Sequence, residues 1–245
     1  MNTQIKFKQT GNCDCNTLLD QFAKTTVHSI MTSSIPLVQF WIKSAPEIQL
    51  TKLEKLSKIT MKDVTLWFEY PTSPLQGRGG SSMTDLMILS EENKVAIEAK
   101  YTEYLNEPET VSKWLGLGEN PQNRKTVLEG WWNKIAPFRR NAKIFSNDIE
   151  YQFLHRTASA CNGAKKAVVI YQLFYDEKTC KGLELFKQKI RQYVDIINPT
   201  SDLEFYIWEI ETGLIGKETN GYNPFEKMKT ENLFVFGKEK LDCIM

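Results

Sequence analysis

Charge of one sign is what this chain has least of: 31 Lys and Arg stand against 30 Asp and Glu, a formal net charge of +1. A protein that coats nucleic acid without specificity carries a broad basic surface, so any cationic surface here has to be local. Long apolar runs are missing too. The densest, residues 35–42 and 167–175, fall far short of the ~20 residues that span a bilayer, so no membrane role is expected. Cysteines are few and scattered, at Cys13, Cys15, Cys161, Cys180 and Cys243. No second Cys or His pair at zinc-site spacing answers Cys13-Asp14-Cys15, so free thiols are expected. The N-terminus lacks the charged-then-apolar pattern of a secretory signal, which points to a cytoplasmic setting. No internal repeat or low-complexity tract breaks the chain. Its 245 residues suffice for a single large domain, expected over 1–245, with a sizeable core.

What the chain does have is a concentrated stretch from Asp85 to Lys100, D-L-M-I-L-S-E-E-N-K-V-A-I-E-A-K. Two short apolar runs flank the polar Ser90-Glu91-Glu92-Asn93, the pattern of a β-hairpin with a four-residue loop. If Leu89 pairs with Lys94, the antiparallel register sets Asp85 opposite Glu98. Residues so placed share a face, with Cβ atoms ~5 Å apart. Lys100 lies on that face as well, because side chains alternate with a period of two. Val95, Ile97 and Ala99 then point the other way, into a core. Two carboxylates this close repel unless a cation lies between them. A hard ion such as Mg²⁺, with Mn²⁺ as its substitute, binds through one or two carboxylates and activates a bound water. The Lys100 ammonium could hold or help deprotonate that water, or offset charge growing on a phosphate. The plainer account is an exposed hairpin in which Lys100 forms a surface ion pair with the two acids.

On Asp85 and the tripeptide Glu98-Ala99-Lys100 the chain resembles the PD-(D/E)XK nuclease superfamily, although Thr84 stands where the family's nominal proline would be. The resemblance implies that Asp85 and Glu98 are metal ligands, with the Ala99 carbonyl as a further one, and that Lys100 serves the hydrolytic water. It also implies an extra upstream acid, for which Glu69 is the candidate, and a polar or basic residue from the helix after the E-x-K strand. Gln152 and Arg156, one helical turn apart with His155 beside them, are the candidates there. An ordinary strand-end carboxylate explains Glu69 equally, and solvent exposure explains the three helical residues.

The order of elements can be read beside the motif. Residues 17–32 read as a helix with an apolar stripe that includes Leu18, Leu19 and Phe22; 35–42 is apolar but of undecided type; a further helix starts at Glu47. Residues 63–70 alternate as a strand ended by Pro71 and Pro74. The segment Gly77-Arg78-Gly79-Gly80-Ser81-Ser82 has no Lys and leads into a strand, which excludes a P-loop. It reads as a flexible loop in which Arg78, Ser81 and Ser82 either hold a phosphodiester or form a surface turn. Residues 101–146 read as a helical insertion, with patches at 110–115 and 126–135 and with Trp114, Trp131, Trp132, Arg124 and Arg139 interleaved. Such interleaving suits nucleic acid, and tryptophans packing the insertion onto the core suit it as well. Asn147 and Glu150 suggest a capped helix start, with Gly163 closing that helix. A buried strand at 167–175, a helix at 183–197 and a strand at 203–210 follow. Residues 212–221 read as a loop and 233–236 as a short edge strand.

The fold expected is α/β: a restriction endonuclease-like αβββαβ core over about 47–210, with a central mixed sheet flanked by helices. The helical insertion and an appended helix and strand complete it. The function expected is that of a Mg-dependent nuclease, a hydrolase cutting phosphodiester bonds of DNA, of restriction or genome-defence type. The family analogy adds a possible homodimer. The rival is a catalytically silent nucleic-acid-binding or assembly module of the same fold.

Overall fold

A computed structural model describes residues 3–25, 29–43, 46–57, 59–91, 93–140, 148–216 and 222–244. Its strands are β1 (Thr3–Phe7), β2 (Val64–Thr72), β3 (Ser82–Ser90), β4 (Asn93–Lys100), β5 (Lys166–Tyr175), β6 (Leu203–Leu214) and β7 (Phe234–Cys243). They form one sheet in chain order. β2, β3 and β4 are an antiparallel meander, while β4, β5 and β6 run parallel. At the edges β1 lies parallel to β2 and β7 antiparallel to β6. The parallel strands need crossovers, and helices supply them.

Helices cover both faces. On one lie α1 (Cys15–Ala23), α2 (Ser34–Ile42), α3 (Pro46–Ser57) and, late in the chain, α8 (Pro224–Met228). Phe22, Trp41, Leu50 and Phe225 meet Val95, Ile97 and Ala99 of β4 there. The other face carries α4 (Val111–Gly116), α5 (Pro121–Ile135), α6 (Tyr151–Cys161) and α7 (Cys180–Ile197). Trp131, Phe153 and Ile190 pack there against Met87, Ala96 and Val169. With both faces covered, β5 is buried from Ala167 to Phe174 and is apolar there apart from Gln172. The architecture is α/β, a seven-stranded mixed sheet flanked by helices. No helix among the described residues is long and apolar enough to cross a membrane.

The hairpin keeps the expected register, Leu89 opposite Lys94. The pairing continues to Ser90 and Asn93, so the connection is two residues, shorter than the expected four. Ser90 is drawn into the strand because its hydroxyl accepts from Lys62 N at 3.0 Å and donates to Lys62 O at 2.6 Å.

Other expectations are corrected. The first helix is shorter than 17–32: it begins at Cys15, capped by Asp14, and ends at Ala23. Thr25 closes it by directing both its main-chain and hydroxyl donors at the Phe22 carbonyl. Val27 and His28 lie outside the described residues. The undecided stretch is α2, a helix buried on all sides. β2 runs through Pro71, which pairs with Met83 of β3; β1 pairs only as far as Phe68, so the strand's other side is open where the proline stands. β6 continues past 210 to Leu214, paired through a register shift to a β7 much longer than expected. Asn147 lies outside the described residues, and α6 starts only at Tyr151. Residues 109–111 hold the preceding segment extended, through Val111 N to Ile149 O and Tyr151 N to Glu109 O, each 2.9 Å. α5 starts at Pro121, five residues or so before the expected patch, under an Asn120 cap at 2.9 Å from Asn123 N.

One close approach ties the insertion to the sheet. A Cβ on Gly130 of α5 would stand 2.7 Å from Gln76 N and 3.0 Å from Leu75 N. Alanine gains about 1 kcal/mol of helix propensity there, but overpacking against main chain costs about 1–3 kcal/mol. Gly130→Ala is therefore expected to lower the thermal midpoint. A raised midpoint would show that helix and loop do not meet this way.

Candidate active site

The β3–β4 ladder pairs as far as Leu86 and Ile97 and then opens. Asp85 takes over at that point: its Oδ2 accepts from Ala99 N at 2.8 Å, replacing a main-chain bond with a side-chain one. Glu98 follows Ile97 on the face covered by α6, and only 1% of its side chain is exposed. A carboxylate so buried needs partners on both oxygens. Oε1 accepts from Lys100 Nζ at 2.6 Å and from Gln152 Nε2; Oε2 accepts from Arg156 Nε. Lys100 Nζ also donates to Gln152 Oε1 at 2.8 Å. Arg156 donates from Nη1 to Met83 O at 2.6 Å and brings Nη2 to 3.8 Å from Asp85 Oδ1.

The helical period explains why α6 supplies these partners. Gln152, Arg156 and Ser159 share one face, as the spacing of four and three predicts. Ser159 anchors that face, its hydroxyl 2.6 Å from Thr72 Oγ1 and 2.8 Å from Thr84 Oγ1. The alternative of solvent exposure fails for Arg156, which is 2% exposed.

Glu69 stands at the gap in the β2–β3 ladder, between the pairs Phe68–Leu86 and Tyr70–Thr84. It has φ 52°, a left-handed conformation costly for a non-glycine residue and held only when its surroundings demand it. The strict alternation of the strand stops there: Trp67 and Tyr70, three apart, both pack on the α6 side. Burial raises the Glu69 pKa, and the charges of Lys8 and Arg156 pull it back. Glu69 thus stands within electrostatic reach of the cluster.

Ionisation follows from the partners. Lys8 acts on Glu69, while Lys100 and Arg156 both hydrogen-bond Glu98, so among the described residues Asp85 has no cation within hydrogen-bond distance. Burial pushes Glu98 up, but Arg156 and Lys100 outweigh it and hold its carboxyl below the usual range. Asp85 goes the other way: burial and the neighbouring Glu98 raise it to about 8. Burial would lower Lys100, yet Glu98 and Asp85 raise it, so it stays charged and cannot act as a base. His155 is lowered to about 3, mainly by burial and next by Arg156, and is neutral at pH 7. Its Nδ1 lies 2.7 Å from Ser82 Oγ.

Above this cluster is a cleft of about 670 Å³, reached by Asp85, Gln152, Arg156, Ser82 and Arg78. Lys100 opens instead into an adjoining pocket of about 330 Å³, with Tyr151, Gln152 and His155 as the shared wall. The glycine-rich loop, expected to be flexible, is tied to α5. Arg78 N donates to Asn123 Oδ1 at 2.7 Å and Asn123 Nδ2 returns a bond to Arg78 O at 2.6 Å. The Ser81 hydroxyl lies 2.9 Å from Ser73 Oγ. Of the insertion's tryptophans, Trp131 is buried and Trp114 and Trp132 are half-buried against the same core, as the packing account expects, while Trp114 and Trp131 both line the cleft.

The donors suit a hard divalent ion in kind. Asp85 Oδ1 accepts no hydrogen bond from a described residue and Glu98 Oε2 accepts from Arg156 alone, so both keep lone pairs. The lack of a hydrogen-bonded cation at Asp85 points the same way. Among the described residues no three His, Cys, Asp or Glu stand together as metal ligands.

A family profile described as a domain of unknown function, DUF6946, matches residues 15–209, and the chain belongs to that family. No curated protein and no solved structure matches it.

The raised Asp85 pKa fixes the direction of a pH dependence. Between about 4 and 8 the folded chain holds a proton that the unfolded chain has lost, so stability falls as pH rises across that window. A tenfold difference in proton affinity between the two states corresponds to about 1.4 kcal/mol. Without added metal, Asp85→Asn is expected to raise the thermal midpoint at pH 8 and to flatten its decline from pH 5. A variant no more stable than wild type at pH 8 would contradict the raised Asp85 pKa.

Proposed function

We propose that the chain is a metal-dependent phosphodiesterase acting on nucleic acid, most simply DNA, with a restriction endonuclease-like αβββαβ core. The observation that carries the reading is the convergence of Asp85, Glu98 and Lys100 with Gln152 and Arg156 beneath a cleft edged by Arg78. The meander β2–β4, crossing through α6 to a parallel β5, supports the core. Asp85 and Glu98 would hold the ion, with the Ala99 carbonyl beside them. Mg²⁺ or Mn²⁺ bound there would polarise a phosphoryl oxygen and lower the pKa of a bound water.

The chain's own groups do the rest. Lys100 spends two donors on Glu98 and Gln152, and its third is taken by no described residue. That donor orients the attacking water, and the fixed ammonium offsets charge as it grows on the phosphate. Because Lys100 opens to the smaller pocket, the water comes from there, apart from the cleft that takes the strand. Gln152 fixes Lys100, and Arg156 keeps Glu98 ionised. Arg78, Ser81 and Ser82 hold the phosphodiester beside the one cut, and neutral His155 positions the Ser82 hydroxyl.

A silent nucleic-acid-binding module is the second reading. The observation on its side is that Glu98 already has Lys100, Gln152 and Arg156 as partners.

Purified protein with supercoiled plasmid or circular single-stranded DNA and Mn²⁺ decides between them. Metal-dependent nicking is expected, with Asp85→Ala and Lys100→Ala each slowing it about 10²–10³-fold, the usual cost of losing a group that stabilises developing charge. Cutting that survives Asp85→Ala would remove the proposal, and binding without cutting would favour the silent module.

A further inference from the structure

We infer that the cleft takes an unpaired strand, so that the substrate is single-stranded nucleic acid or an opened part of a duplex. This rests on the phosphodiesterase reading and narrows it. Size comes first. A cleft of about 670 Å³ lies within the ~300–1,000 Å³ typical of small-ligand sites, room for one or two nucleotides and too little for a double helix.

Depth adds to size. Glu98 is 1% exposed and Asp85 25%, so the phosphate to be cut must descend to the floor. A single strand bends into such a recess, whereas duplex DNA stays stiff over ~150 base pairs and bends only at a cost of several kcal/mol.

The walls are also a fixed frame and not a lid. Arg78 and Asn123 exchange two bonds across the gap between loop and helix. Gly77, with φ 84°, sits so close to α5 that a Cβ would stand 2.5 Å from Val127 Cγ2. On the far side Trp131 Nε1 donates to Tyr151 Oη at 2.9 Å, joining α5 to α6. Widening the cleft for a duplex would break these contacts together.

The cations are placed for one strand. Tyr151 and Trp114 stack at 4.0 Å, and the Arg124 guanidinium lies 4.7 Å over Trp114 while Nη1 donates to the Trp114 carbonyl at 2.9 Å. Arg124 and Arg78 have no carboxylate partner among the described residues, so both charges remain for phosphates. Two arginines on one cleft, Arg124 held against Trp114 and Arg78 exposed on a loop tied through its main chain, form a local anchor in a chain of net charge +1. A duplex-coating protein makes more contacts, on the order of 6–10 phosphates. Arg124 is thereby assigned to the phosphate next to the one cut, on the wall facing Arg78.

The test uses the full chain, with fluorescence anisotropy in EDTA for binding and Mn²⁺ for cutting. The probes are a labelled oligonucleotide, its blunt duplex, and the same duplex with a short unpaired bubble. The single strand and the bubble are expected to bind at least about tenfold tighter than the duplex, and cutting to fall within the bubble. Arg124→Ala is expected to weaken single-strand binding about tenfold while the lost bond to Trp114 lowers the melting temperature by only ~2–4 °C, with Arg124→Lys recovering part of the binding. Equal binding of the duplex, or cutting in its paired arms at a similar rate, would overturn the inference while leaving the phosphodiesterase reading intact. No binding and no cutting of any probe would overturn both.

Discussion

Burying the Glu98 carboxylate is the constraint around which the rest of the site is arranged. At 1% exposure it would be untenable alone, and the effective cost of an uncompensated buried ion runs to several kcal/mol. The compensation comes from α6, which lends Arg156 and Gln152 from successive turns, and from Lys100 two residues along the strand. To do so α6 must lie across β3 and β4 in one orientation, and the Ser159 hydroxyl between Thr72 and Thr84 secures it. The helix, the open end of the hairpin and the cleft above them thus follow from one ion pair.

The pairing leaves a remainder. Arg156 and Lys100 are both spent on Glu98 and Lys8 acts on Glu69, so Asp85, with a quarter of its side chain exposed to the cleft, is left without a hydrogen-bonded cation among the described residues. A group in that position has two remedies: it takes up a proton, or it takes a cation from solution. The first raises its pKa, and the second is what a metal-dependent hydrolase needs. That both follow from the position of Asp85 is why the phosphodiesterase reading is preferred over a coincidental surface ion pair. The hairpin is not an exposed one, since Glu98 and Lys100 are both buried.

Much of this was legible in the chain. The β3–β4 register followed from two apolar runs and the period of two, because slipping by one residue would have turned Val95, Ile97 and Ala99 away from their core. Gln152, Arg156 and Ser159 could be placed on one helix face from spacing alone. The left-handed turn at Glu69 left no trace in a Glu flanked by aromatics, since it answers to the neighbouring strand and not to local propensity. The late start of α6 was hidden for a similar reason: residues 109–111 hold its approach extended, over a distance in sequence that no capping pattern reports. Asn123 and Gly130, which tie the glycine-rich loop to α5, carry signals only of a cap and a weak helix position. The short helix α8 carries a brief signal, Asn223 ahead of Pro224.

Metal binding coupled to proton release tests most directly whether Asp85 lacks a cation of its own. Mn²⁺ would be titrated into the protein at pH 7 by calorimetry in two buffers of different ionisation enthalpy. With Asp85 protonated below about 8, saturable binding should release close to one proton per chain, and Asp85→Asn should abolish that release. Absence of saturable binding, or binding with no proton released, would contradict that lack and the metal site built on it.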